Sequence, residues 1–351
     1  MKVFVNGRFL TQEITGVQQF AREICRELIA DGSHEITILT PKNLPPQKNE
    51  FASNTIQIGN LKGHLWEQIC LPIYLWRQKP FVLINLCNTA PLAIRRQLYT
   101  LHDLAFQVNP DWFNFWFSYV YNLLVPVLLR RSQWIFTVSN SIKNEMNSVY
   151  AVPLPKIEVI GNKVSRQLLH SLEKKPDGFA LNEHAFYLMV GSRNKRKNFE
   201  VIINFFESHP ELNLLIAGGQ HKAFASRGTR LVDCSNIHVL NYVSDAELKW
   251  LYQHAKALIN PSLYEGFGIP NLEALCFHCT VLCSELPVYH EVCGEAAFYF
   301  SIENINTLEA CIKKLDEDPQ EVQHKKLAGA LIFKTYQDQN RVGKIFKALF
   351  G

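Results

Sequence analysis

The 351-residue sequence shows no disulfide framework, no repeat of fixed period and no strong charge bias, and no secretory leader is expected. It opens on MKVFVNG, a strand-like start rather than the basic flank and apolar stretch of a signal peptide, so a cytoplasmic protein is expected. Nine cysteines stand scattered at positions 25, 70, 87, 234, 276, 279, 283, 293 and 311, an odd set without scaffold spacing, which predicts reduced thiols. The net charge is only +4, and no nucleic-acid partner is expected. Charge is absent altogether from residues 112–129, WFNFWFSYVYNLLVPVLL, a stretch that touches the lower length limit of a membrane span. Asn114, Ser118, Asn122 and Pro126 interrupt it, and Arg130 and Arg131 close it. That pattern favours an aromatic helix, buried in the N-terminal domain or lying in a membrane interface, over a span.

What is present is an alternation of strands and helices. KVFVNG, a helical pattern over 15–31, HEITILT, FVLINL, QLYTLHD and QWIFTVS form one βα series. FYLMVG, LNLLIAGG, IHVLNYV, KALINP and TVLCS form a second. Two doubly wound domains are expected, 1–170 and 185–335, joined by the charged, Pro- and Gly-punctuated linker 171–184. A helix over 336–351 is expected to pack back on the N-terminal domain. The small basic excess is an N-terminal property, since residues 1–163 hold 16 Lys and Arg against 11 Asp and Glu, and residues 164–351 hold 20 against 21. Mixed with aromatics at Lys62, Trp66, Trp76, Arg77, Lys79, Arg95 and Arg96, it fits a solvated face, or contact with an anionic membrane surface or substrate.

The segment ALINPSLYEGFGIPNLEAL combines a strand (257–260), a glycine turn and a helix start at Pro270 and Asn271. In an open α/β sheet, ligands sit outside the carboxyl ends of strands, where loops enter helices. Gly266 and Gly268 let backbone N–H groups approach a ligand, and a helix N-terminus favours phosphate. Glu265 lies on the loop and Glu273 eight positions on, in the expected first helical turn. Carboxylates accept hydrogen bonds from hydroxyls, which suits sugar and ribose; the plainer alternative is that Glu273 only complements the helix dipole.

The two glutamates resemble the E-x7-E signature of the retaining family-four (group 1) glycosyltransferases, and further segments are similar in the same order. These are NGRFLTQEITGVQQFAREI, LHDLAFQVNPDWF, TVSNSIKNEM, VGSRNKRKNFEVII, LIAGG and YVSDAELKWLYQHAKALINPSLYEGFGIPNLEAL, which together span nearly the whole chain. The resemblance implies an α/β protein of the GT-B fold, with two facing Rossmann-like domains and an interdomain cleft. It gives His102, Arg196, Lys197 and Glu265 catalytic roles, and donor binding to Gly16, Gly191, Tyr242, Gly266, Phe267, Gly268 and Glu273. In that scheme Arg196 and Lys197 meet the departing diphosphate, Glu265 holds the transferred sugar, Glu273 the ribose, and His102 hydrogen-bonds a sugar hydroxyl. No metal or other cofactor is implied beyond the nucleotide-diphosphate sugar itself. The partners implied are that nucleotide sugar, a glycan or lipid-linked glycan acceptor, and an anionic membrane touched peripherally on the inner face.

Some positions depart from the family pattern. After Glu273 the family commonly reads A-x-G-x-P, whereas this chain has CFHCT, with His278 at the glycine and Thr280 at the proline, so a reshaped turn is expected. Asn241, Asn162, Lys163 and Gln19 also stand where relatives often have other residues, which leaves the base open. CFHCTVLC raises a zinc site on Cys276, His278, Cys279 and Cys283, but no second Cys pair lies at ribbon spacing and the segment runs into an apolar strand, so core thiols are the better reading. Asp316 and Asp318 in LDEDP read as solvated charge, not a metal site. The expected activity is metal-independent transfer of a hexose, with retention, to a glycan hydroxyl in bacterial surface-polysaccharide assembly. A GT-B nucleotide-sugar epimerase and a noncatalytic nucleotide-sugar-binding subunit are the alternatives; donor consumed only in the presence of acceptor separates them from a transferase.

Overall fold

The computed structural model describes residues 2–45, 49–178, 182–192, 194–218, 234–240 and 242–351. Asn241, Gly219, Arg193 and residues 179–181 of the expected linker lie outside the described residues. The chain divides into two compact units, one of Met1–Pro110, Asn114–Asn162 and Gln339–Gly351, the other of Asp111–Phe113 and Lys163–Asp338.

The first unit holds β1 (Lys2–Asn6), β2 (Ile36–Pro41), β3 (Thr55–Ile58), β4 (Phe81–Asn85), β5 (Gln97–Thr100), β6 (Trp134–Thr137) and β7 (Ile157–Val159) in the order β3-β2-β1-β4-β5-β6-β7. The second holds β8 (Phe186–Val190), β9 (Asn213–Ala217), β10 (Ile237–Leu240), β11 (Ala257–Asn260), β12 (Val281–Ser284) and β13 (Ala297–Phe300) in the order β10-β9-β8-β11-β12-β13. The strand pairs are parallel, as in Val5 opposite both Ile38 and Ile84. Helices cover both faces of such sheets, so the central strands read as unbroken apolar runs; β4 (FVLIN) is buried at every position. The order reverses between β1 and β4 in one sheet and between β8 and β11 in the other. In open α/β sheets, ligands bind at such a reversal, beyond the strands' carboxyl ends.

Helix Gly16–Asp31 buries Phe20, Ile24 and Leu28, spaced four apart, against the first sheet. Its Thr15 N-cap amide donates to Gln18 Oε1 at 3.2 Å, and Gly32 ends it at φ +67°. Helix Arg341–Phe350 belongs to this unit too, burying Val342, Ile345 and Leu349, and Arg341 forks onto Glu27 of Gly16–Asp31 at 2.7 and 3.0 Å. Residues 115–131 are helical but not buried all round. Val125, Leu128 and Leu129 face the core, whereas Phe115 (72% exposed), Trp116 (71%), Tyr119, Leu123 and Val127 face outward. Among the described residues no helix is long and apolar enough to cross a membrane.

Candidate active site

At the β8/β11 reversal the loop after β8 carries the basic run. Asn194 Oδ1 accepts from the Lys197 amide (3.1 Å) and caps a short 3-10 turn, Lys195–Lys197, and the Leu263 amide donates to the Arg196 carbonyl at 2.8 Å. These bonds turn Lys197 inward until only 7% of it is exposed. Its Nζ lies 2.7 Å from Glu265 Oε1, while Arg196 Nη1 lies 3.1 Å from Oε2 and donates to the Tyr264 carbonyl at 2.9 Å. Burial alone would raise the Glu265 pKa, but Arg196 and then Lys197 outweigh it and hold the carboxyl at about 2. The triad keeps one net positive charge. Ser262 extends it, donating to Glu265 Oε1 (3.3 Å) and, in its other rotor position, to Asn260 Oδ1 (2.8 Å), and Asn260 in turn donates to Asn271 Oδ1 at 2.7 Å.

Close contact requires glycine at two of these positions, and a positive φ requires it at the third, Gly191. Gly191, at φ +137°, follows β8, and a Cβ there would lie 3.4 Å from Lys197 Cε. Gly218 (φ +147°), after β9, touches Gly191 so closely that a Cβ would sit 2.0 Å from the Gly191 carbonyl oxygen. Gly268 (φ +94°) caps helix Ile269–Cys276, and a Cβ there would meet Tyr289 at 2.6 Å. Gly266 and Phe267 precede it on the same turn, with Phe267 buried edge-on against Tyr336.

Glu273 stands at the fifth residue of Ile269–Cys276, one position past the first turn where it was expected, because the helix begins at Ile269, and the helix dipole acts on it more weakly there. Burial pushes its carboxyl up to about 7, against the lowering effect of the Tyr252 phenol, which donates to Oε2 at 2.8 Å; Asp245 adds to the rise. If Glu273 holds a ribose diol, as the resemblance implies, it does so as the ionised carboxylate, and the donor KM is then expected to climb as pH falls from 8 to 6, approaching tenfold per pH unit below about 7, with kcat level. Glu273→Gln should flatten that profile. Because the carboxyl pKa is raised above its ordinary 4.5, its contribution to stability is present below that value and lost as pH rises through about 7. The donor-free Gln variant should therefore melt higher than wild type at pH 8 and not at pH 4.5; a pH-independent KM in wild type contradicts the assignment.

Of the other expected residues, Gly16 and His102 belong to the first unit and Tyr242 to the second. Gly16 is exposed as the first residue of its helix, and Tyr242 is 87% exposed. His102, in the first unit, is 6% exposed, with its ring edge-on to Phe20 and Nε2 2.8 Å from the Leu86 carbonyl. Burial lowers its pKa despite that carbonyl and Asp103, which favours a neutral ring with Nε2–H donating and Nδ1 left as an acceptor. In the turn at CFHCT, His278 adopts φ +58°, the left-handed conformation that glycine takes freely, at a cost of roughly 1 kcal/mol. Asp316 and Asp318 are not merely solvated, since Asp316 pairs with Lys256 at 2.7 Å and Asp318 caps helix Pro319–Gln337. Tyr252, Asn260, Ser262 and Gly218 were not singled out in the sequence; only the polar residues closing the apolar run ALINPS hinted at two of them.

Comparison with known proteins agrees with this fold. The profile described as Glycosyltransferase Family 4 matches residues 14–168, and that described as Glycosyl transferases group 1 matches 172–330. The chain is 29% identical over 332 residues to the O-antigen chain mannosyltransferase RfbU of Salmonella typhimurium, covering 90% of this chain and 87% of that protein. Its fold matches WaaG, a glycosyltransferase involved in lipopolysaccharide biosynthesis (TM-score 0.71, 14% identity, 100% of both chains). It also matches Anabaena HepE solved with UDP and glucose (TM-score 0.69, 16% identity, 99% of both chains). The paired parallel sheets, the two adjoining profile matches and the RfbU similarity together make the chain a member of the group 1 glycosyltransferases, an enzyme of the GT-B fold.

Proposed function

We propose that this glycosyltransferase moves a hexose, mannose on the precedent of RfbU, from a nucleotide diphosphate to a glycan or lipid-linked glycan in bacterial surface-polysaccharide assembly, with retention and without a metal ion. The observation that carries the reading is the Arg196–Lys197–Glu265 triad beyond the carboxyl ends of β8 and β11. As the bond from the anomeric carbon to phosphate oxygen breaks, its electron pair goes to the diphosphate, and two fixed cations meet the growing charge. Both Glu265 oxygens are held by cations, so this carboxylate supports a developing oxocarbenium rather than attacking it. The acceptor oxygen then bonds to the same face of the anomeric carbon, and its proton passes to the departing phosphate. Glu273 holds the ribose, and the neutral His102 offers Nδ1 to a sugar hydroxyl.

The enzyme works at the cytoplasmic face of the membrane in this reading. Phe115, Trp116, Tyr119, Leu123 and Val127 form an exposed apolar stripe ended by Arg130 and Arg131, and Leu65, Ile69, Ile73 and Trp76 form another near Lys62, Arg77 and Lys79. Trp and Tyr settle at lipid headgroups, and the cations favour anionic lipid. One assay tests the whole: transfer from UDP-, GDP- and dTDP-hexoses to a polyprenyl-linked glycan in anionic or neutral vesicles, with chelator added and the product anomer read by NMR. Retained configuration, a rate unchanged by chelator, and faster transfer on anionic vesicles that salt abolishes are expected. Inversion, a strict Mg²⁺ requirement, or equal rates on both lipids removes the corresponding part.

A further inference from the structure

The first sheet reverses order between β1 and β4, and a buried polar cluster fills that point. Asn6 ends β1 and Asn85 ends β4, and the Asn6 amide donates to Asn85 Oδ1 at 3.0 Å and to Glu67 Oε1 at 2.7 Å. Glu67, 1% exposed, lies in a π-helical turn, Trp66–Cys70. Arg8 Nε lies 3.3 Å from Glu67 Oε1, and Arg8 Nη2 donates to Thr89 Oγ1 at 2.6 Å; Thr89 itself donates to Glu67 at 3.2 Å. Burial would raise the Glu67 pKa, but Arg8, followed by His64 and Asn6, holds it below the ordinary range, so the pair is ionic.

A buried ion pair is a costly way to stabilise the ends of two central strands, because desolvation offsets most of the attraction. Its partners indicate another use. Thr89 belongs to the loop 86–90, and that loop makes two polar contacts with His102: the Leu86 carbonyl to Nε2 (2.8 Å) and Asn88 Oδ1 to the His102 amide (2.8 Å). The Asn88 carbonyl is itself fixed by the Tyr99 phenol at 3.0 Å. The loop thus has the ion pair on one side and the imidazole on the other. We infer that Glu67 and Arg8 are positioning residues for His102, holding through Thr89 the loop that sets its tautomer and orientation. The catalytic consequence rests on the reading of His102 given above.

Protein with 15N-labelled histidine, its His102 ring signals assigned by their loss in His102→Asn, tests this directly. Wild type is expected to give two well-separated ring nitrogens, one protonated and one bare. Glu67→Gln, and Thr89→Val as a milder break of the same link, should draw those shifts together as the Leu86 carbonyl drifts. Glu67→Gln should also lower kcat on the order of tenfold, as lost outer-layer hydrogen bonds commonly do. In a His102→Asn background it should cost less than about twofold further, because two residues acting as a unit are not additive. Unmoved ring shifts in folded Glu67→Gln and Thr89→Val, or a fully additive loss of rate, overturn the inference. Should His102→Asn transfer at the wild-type rate while the shifts respond, the catalytic reading of His102 fails and the positioning stands.

Discussion

Lys197→Ala is expected to lower kcat on the order of a hundredfold, with a smaller change in the donor KM, by analogy with the loss of one oxyanion-hole donor. Arg196→Ala should behave alike, and Lys197→Arg should recover part of the loss. The effect falls on kcat because the diphosphate gains charge only as the glycosidic bond breaks. The donor-free enzyme supplies a sharper version of the test. Both cations are committed to Glu265, at 2.7 and 3.1 Å, so their effect could run through that carboxylate alone. In that case Glu265→Gln with Lys197→Ala would be no slower than Glu265→Gln by itself; if Lys197 meets the phosphate, the second change costs its own factor. Thermal melts must accompany the kinetics, since leaving a buried charge unpaired costs about 3–5 kcal/mol. The Glu265 pKa is depressed to about 2, so the triad's contribution to stability is present above 4.5 and disappears as pH falls toward 2. Wild-type kcat in both folded alanine variants would leave the cations as mere counter-ions to Glu265.

Gly218→Ala is expected to prevent the second unit from folding. The added methyl would lie 2.0 Å from the Gly191 carbonyl oxygen and 2.7 Å from its carbon, and backbone cannot step aside as a side-chain tip can. Both residues are pinned by sheet bonds, Gly191 N to the Ala217 carbonyl at 3.0 Å and Gly218 N to the Leu240 carbonyl at 2.9 Å. The cost should exceed about 4 kcal/mol, at the far end of single-residue effects. Gly178→Ala is the control: its φ of +74° is also positive, but among the described residues nothing lies within 4 Å, so mainly a conformational cost of roughly 1 kcal/mol remains. Soluble expression and melting of the two variants side by side decide it; a Gly218→Ala protein that melts like the control would mean that the β8 and β9 ends are looser than drawn.

Long apolar strands and motif glycines were legible from residue order, because burial on both faces and positive φ leave local marks. β3, β7 and β13 escaped notice, being strands of three or four residues on the flanks of their sheets, and β3 is half exposed. The spacing of Glu265 and Glu273 was visible, but their partners were not. Lys197 reaches Glu265 across 68 positions only because β8 lies beside β11, and Tyr252 reaches Glu273 from a different helix. The uncharged stretch 112–129 marked a helix, which the chain forms over Phe115–Arg131, but not which of its faces packs. With apolar residues on both faces of the helix, the residue pattern cannot tell the side that packs from the side that faces out.

The path of the chain carries a consequence for synthesis. The first unit ends its main run at Asn162, and the chain builds the whole second unit before Gln339–Gly351 completes the first. On the ribosome, Glu27 must therefore wait for Arg341, and His34 for Phe346 and Phe350, the rings that later stack on it. The part made first is finished last, and until its final helix emerges it presents an open apolar seat, the kind of surface that chaperones hold and proteases find.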